Sequence, residues 1–126
     1  MSKKQDKHSA TFPKKNRISL KRDFDYILSE GKRRKSKLFT LIILDNNLPF
    51  SRLGIRISKK IGNAVTRNKI KRLLRETFRH NKNKLIQKWD IIVIPHQSIL
   101  HVSYKIIEQQ FLDLVLNKQC KELDIK

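Results

Sequence analysis

Helical and strand periodicities follow one another along this chain in the order helix, strand, strand, helix, strand, helix. That order predicts an α+β fold, a single-domain α–β sandwich with helices packed on one sheet. Two further observations agree with it. The 126 residues suit one domain able to bury a core without disulfides or a structural metal, and no internal repeat divides them.

Residues 1–17 are polar and basic without periodicity, carrying Lys3, Lys4, Lys7, Lys14, Lys15 and Arg17. They read as a disordered N-terminal arm, either a solvated tail or one that gains order on RNA. The folded domain is expected over 18–118, with 119–126 a frayed tail. From Ser19, apolar Leu20, Phe24, Ile27 and Leu28 fall at helical spacing, with Ser19 as the expected N-cap, Asp23 in the first turn and Gly31 as the stop. The basic stretch GKRRKSK over 31–37 has nothing apolar to pack and is expected to be an exposed loop.

Residues 38–45 are rich in β-branched and aliphatic residues, NNLPFS makes a turn, and 52–58 alternate. Leu53, Ile55 and Ile57 should face the core while Arg52, Arg56 and Ser58 face away. On the preceding strand Phe39, Leu41 and Ile43 should line the core, which leaves Thr40 and Ile42 beside the arginines as an exposed apolar groove floor. A third strand, KWDIIVIP, ends at Pro95, and HQSILHVS follows as a loop. Ile107, Phe111, Leu114 and Val115 then repeat at helical spacing in a final helix starting from Ser103.

Thirty Lys and Arg against eleven Asp and Glu give a net charge of +19, a self-repulsion that calls for a polyanionic partner. A membrane surface is a poor candidate, because the apolar runs are strand-sized and far short of the roughly 20 residues of a spanning helix. The N-terminus has no apolar segment of a secretory signal. Cys120 is the single cysteine, compatible with a reducing, cytoplasmic location. Nucleic acid is the expected partner.

Groups for hydrolysing a phosphodiester are not apparent. Two-metal chemistry needs converging carboxylates, whereas the acidic residues are scattered and Asp23 and Asp25, two apart on a helix, do not face each other. His8, His80, His96 and His101 lack metal-ligand spacing, and one cysteine builds no zinc knuckle. There is no phosphate-binding loop signature, though the backbone at Gly62 precedes a helix start. The expectation is no catalytic residue and no metal site in the protein itself.

Over 64–79 a helical wheel at about 100° per residue puts Ile70, Leu73, Leu74 and Thr77 on one side with Phe78 at the border. Asn68, Lys71, Arg72, Arg75 and Arg79 gather on another, with only Glu76 to neutralise them. Such a stripe can run along a phosphate backbone and make several contacts at once. Arg67 lies near the apolar edge, which suggests that the turn around 63–67 is loop or cap, with Asn63 or Thr66 capping. A non-enzymatic RNA-binding protein, such as a ribosomal protein, shares this charge and size. A DNA-binding helix protein would need base-reading side chains or a dimer seam.

The string SKKIGNAVTRNKIKRLLRETFR, with Arg67–Asn68, Lys71–Arg72 and Arg75–Glu76, closely resembles the signature segment of the bacterial ribonuclease P protein component family. The resemblance extends over about 17–117 and takes in Asp23–Phe24, Gly31, LGIRISKKIGNA and DIIVIP. It implies a mixed sheet with a left-handed βαβ crossover, as in ribosomal protein S5 domain 2, against the right-handed rule. It also implies a subunit of an endoribonuclease that removes the 5′ leader of precursor tRNA. Catalysis would belong to a partner RNA holding Mg²⁺, and no obligate protein partner is implied. By similarity, Lys59, Lys60, Asn63, Arg67, Asn68, Lys71, Arg72, Arg75 and Arg79 would bind the catalytic RNA. Phe24, Leu28, Ile42, Arg52, Arg56 and Ser58 would bind the single-stranded leader, with Leu28 and Ile42 standing where relatives often have aromatics.

Overall fold

The computed structural model describes residues 13–85 and 87–116. Its α-helices are α1 (Lys21–Glu30), α2 (Ala64–Asn81) and α3 (Tyr104–Leu116), and its strands are β1 (Lys32–Lys35), β2 (Phe39–Asp45), β3 (Arg52–Ile55) and β4 (Trp89–Pro95). The strands form one sheet in the order β1-β2-β4-β3. β1 and β4 pair antiparallel to β2, while β3 pairs parallel to β4. The sheet is therefore mixed, and β3, α2 and β4 make a parallel crossover between neighbouring strands.

Period-two alternation decides which residues each layer buries. On one face, Phe39, Leu41, Ile43, Leu53, Ile91 and Val93 pack with Ile70, Leu74 and Phe78 of α2 and with Ile107, Phe111, Leu114 and Val115 of α3. The opposite face contributes Ile42 and Ile92, which pack with Ile18 and with Ile27 of α1. Helices cover both faces, so β4 is aliphatic nearly throughout rather than alternating with polar residues.

Two departures from expectation concern the chain around α1. Ser19 is not its cap: Leu20 occupies that position, its carbonyl accepts from the amides of Asp23 and Phe24, and no side chain caps the helix. Residues 32–35 are not a loop but the edge strand β1, giving the order αβββαβα rather than αββαβα. A strand of four cations is tolerated because an edge position leaves it largely in water, and the charges discourage pairing with another chain. Gly31 permits the entry to β1, since a Cβ there would lie 2.6 Å from Ile42 Cγ2.

Ile42 is fully buried beneath α1 and is not a groove floor. Alternation alone does not show that α1 covers this second face of the sheet. The arm also departs from expectation at its end. Lys14–Asn16 form a 3₁₀ turn, Asn16 is buried and donates from Nδ2 to the Ser51 carbonyl at 2.7 Å, and Arg17 bridges to Leu53. The rest of the expected arm, 1–12, and the expected tail, 119–126, lie outside the described residues.

Candidate nucleic-acid interface

The start of α2 is fixed by its own sequence. Ser58 Oγ accepts from the amide of Lys60 to cap the 3₁₀ turn Lys59–Ile61, and Gly62, at φ 158°, leads the chain into the helix. Asn63 is the N-cap, its Oδ1 accepting from the Thr66 amide at 2.9 Å. Arg67 is already helical, contrary to the expectation of a loop or cap there. Its Nε turns back to donate to the Gly62 carbonyl at 3.1 Å, so its guanidinium braces the helix start.

Beyond this start the apolar side is buried through Ile70, Leu74, Thr77 and Phe78, which orients the opposite side to solvent. Asn68, Arg72, Arg75 and Arg79 then line one shallow depression together with Lys69, Glu76 and Arg17. Lys71 leaves this group and joins Arg75, Arg17 and Phe24 around a second notch beside Gly54. Lys59, Lys60 and Asn63 stand exposed just ahead of α2. Thus most of the predicted stripe is brought together, and Arg75 borders both hollows.

Two contributors were not expected. Lys69 lies two positions from Arg67 and belongs to the depression, as the helical spacing from Arg72 allows. Arg17 arrives from the N-terminal segment, and no periodicity could have placed it there. Burial and the nearby Arg17 charge lower the Arg75 pKa, while burial, Lys15 and Arg79 lower that of Lys82. Cations are thus held near one another with Glu76 as the acid in the depression, and an incoming polyanion would relieve that repulsion.

On the sheet face beneath α1, Phe24 lies over Gly54, where a Cβ would come 2.7 Å from the ring's Cζ. Phe24 and Leu28 are half-buried against the Ile42–Ile92 cluster and keep part of their surface outward. Arg56 is exposed just past β3, with its amide donating to the Val93 carbonyl at 2.9 Å. Ser58 is exposed nearby but uses its hydroxyl as a cap. Arg52 is committed inside the fold: Nε and Nη2 donate to the two Asp90 oxygens at 2.8 and 2.6 Å, and Nη1 lies 3.5 Å from Asp23. The carboxylate hydrogen bond raises its pKa against the effect of burial.

The strand register adds Ile94 and Lys35 to the face where alternation had already placed Thr40. Thr40 pairs with Ile94 on β4 and with Lys35 on β1, so all three share this face with Ile42 and Arg56. Thr40 is buried, and its Oγ1 meets His96 Nε2 at 2.9 Å, while Ile94 is half-buried. The face beside α1 therefore offers an apolar strip edged by Arg56 and Lys35.

Among the described residues no three His, Cys, Asp or Glu converge on a point, and no helix is long and apolar enough to cross a membrane. The interface supplies donors, positive charge and some apolar surface, which is the chemistry of binding a nucleic acid.

Comparison with known proteins adds to this geometry. Residues 12–119 match the family described as Ribonuclease P. The ribonuclease P protein component of Syntrophus aciditrophicus is 40% identical over 109 residues, covering 86% of this chain and 91% of the relative. That of Thermotoga maritima is 37% identical over 109 residues, covering 83% and 93%. Among solved structures, the RNase P protein from Thermotoga maritima superposes with a TM-score of 0.73 at 37% identity, covering 79% of this chain and 94% of that one. The Staphylococcus aureus RNase P protein gives 0.70 at 35% identity, covering 86% and 97%.

Proposed function

This chain belongs to the ribonuclease P protein family, and from that membership we propose a division of labour in which it binds RNA while a catalytic RNA cleaves precursor tRNA. It is a ribonuclease P protein subunit acting in tRNA processing. The alternative of a ribosomal protein gives way to the family match.

The single observation that supports the division is the depression formed by Asn68, Arg72, Arg75, Arg79 and Arg17, beside the notch that Arg75 and Phe24 share. We assign the depression, with Lys59, Lys60, Asn63 and Lys69, to the catalytic RNA. The notch then leads to the face beside α1, where Phe24, Leu28, Ile94 and Arg56 receive the single-stranded 5′ leader. Phe24 is the aromatic on that path, so stacking is confined to one end and the remaining contact is apolar and electrostatic. Arg52 supports this surface from inside the fold, and buried Ile42 takes no direct part.

We assign Mg²⁺ to the RNA in this reading, as membership of the ribonuclease P family implies. The protein instead lowers phosphate repulsion between catalytic RNA and substrate, which is part of what added Mg²⁺ would otherwise do. The cytoplasm, where tRNA is processed in bacteria, is its place of work.

The test is cleavage of a precursor tRNA by the catalytic RNA at low Mg²⁺, with and without purified protein. Cleavage should be at least about tenfold faster with protein, as expected from neutralising several phosphates. Equal rates would remove the proposed role.

A further inference from the structure

The strip beside α1 does not end at β2. Register pairs Ile42 with Arg33 and Thr40 with Lys35, so both β1 cations stand on the α1 face, in line with the surface that begins at Arg56. Arg56 lies one residue past the Ile55–Val93 pair, next to Ile94, and Ile94 pairs with Thr40. Arg56, Ile94, Thr40 and Lys35 thus form a row across all four strands, spanning roughly 14 Å at the usual strand spacing. Positive charge stands at both ends of that row.

β1 is anchored from its other face. Arg34 points away from α1 and donates from Nη1 to the Leu114 carbonyl of α3 at 2.9 Å. Arg33 and Lys35 are exposed, and among the described residues no ion pair engages either. The strand therefore holds two available cations on a fixed backbone. A second copy of this edge would meet like charge along its whole length, which disfavours strand addition and favours a polyanion.

We propose that β1 is a second phosphate clamp, in which Arg33 and Lys35 hold the backbone of the leader's 5′ portion after it has crossed the strip from the α2 end. This rests on the reading of the α1 face as the leader site. It assigns a leader-length preference to residues 32–35, a segment whose charge, rather than any apolar pattern, makes it functional. Chain direction follows from the proposed arrangement. The nucleotides next to the cleavage site lie toward α2 and its catalytic RNA, so those reaching β1 are farther upstream.

The test uses the reconstituted holoenzyme and two precursor tRNAs, one with a leader of about 10 nucleotides and one cut to about 3, a length below the usual single-strand site size. Arg33→Ala with Lys35→Ala should weaken binding of the long-leader precursor about tenfold and reduce its salt slope by about 1.4, the value for two single-strand phosphate contacts. Binding of the short-leader precursor should stay within about twofold of wild type, since it makes no such contact. Arg33→Lys with Lys35→Arg should retain the long-leader affinity.

An unchanged long-leader affinity in the alanine variant would overturn the clamp while leaving the leader site intact. Equal losses for both precursors would also overturn it, placing these cations on the tRNA body or the catalytic RNA. If the wild-type holoenzyme does not distinguish the two precursors, the leader site itself fails and the clamp with it. A thermal melt of each variant separates these outcomes from misfolding.

Discussion

Asp90 is 4% exposed and receives three hydrogen bonds, two from Arg52 and one from Asn46 Nδ2 at 2.8 Å. Removing it leaves a half-buried guanidinium whose one remaining acid partner among the described residues is Asp23, at 3.5 Å. Asp90→Ala should therefore destabilise the fold by about 3 kcal/mol, read by urea unfolding, since breaking a buried pair exposes the cost of the remaining charge. A loss below about 0.5 kcal/mol would show that the pair is replaceable by water. The ion pair itself could not be read from the Arg52 strand in isolation. Alternation placed Arg52 on the right face, but its acceptor comes from a strand 38 residues later. Ile42 illustrates the converse: its face was legible from the strand pattern, whereas its burial depends on Ile27 and Gly31 arriving from the preceding helix.

At the scale of elements, α2 was the most legible because its two sides differ in chemistry and its cap residue is local. Asn63 and Thr66 were both plausible caps, and only the backbone geometry of Gly62 and Asn63 selects between them. β1 was illegible as a strand, since KRRK has no apolar residue and its pairing with β2 supplies the order. The element prediction concerns α2. Arg72 and Arg75 are exposed on the side away from its buried residues, so Arg72→Ala with Arg75→Ala should keep the melting temperature within a few degrees of wild type. Assembly with the catalytic RNA should nevertheless weaken by about tenfold or more, through loss of two phosphate contacts. Filter binding of the variant at wild-type affinity would remove this side of α2 from the RNA interface.

The whole molecule separates its core from its charge by using both faces of one sheet. α2 and α3 close one side, and α1 closes part of the other, leaving the basic side of α2 and the strip beside α1 continuous through the notch at Phe24, Lys71 and Arg75. A charge of +19 did not by itself reveal that continuity. It depends on the crossover that sets β3 beside β4 and on residues 14–17 returning to β3, both long-range features without a local signal. If the surface that combines Arg17, Lys69, Lys71, Arg72, Arg75 and Arg79 holds the catalytic RNA as proposed, about 5 to 8 phosphate contacts are expected, and affinity should fall by roughly three orders of magnitude between about 50 and 200 mM monovalent salt. Titrations at several salt concentrations and fixed Mg²⁺ give the slope directly. A slope shallower than about −2 would mean that no more than two or three phosphates are engaged, and the basic side of α2 would then act through one local contact rather than along its length.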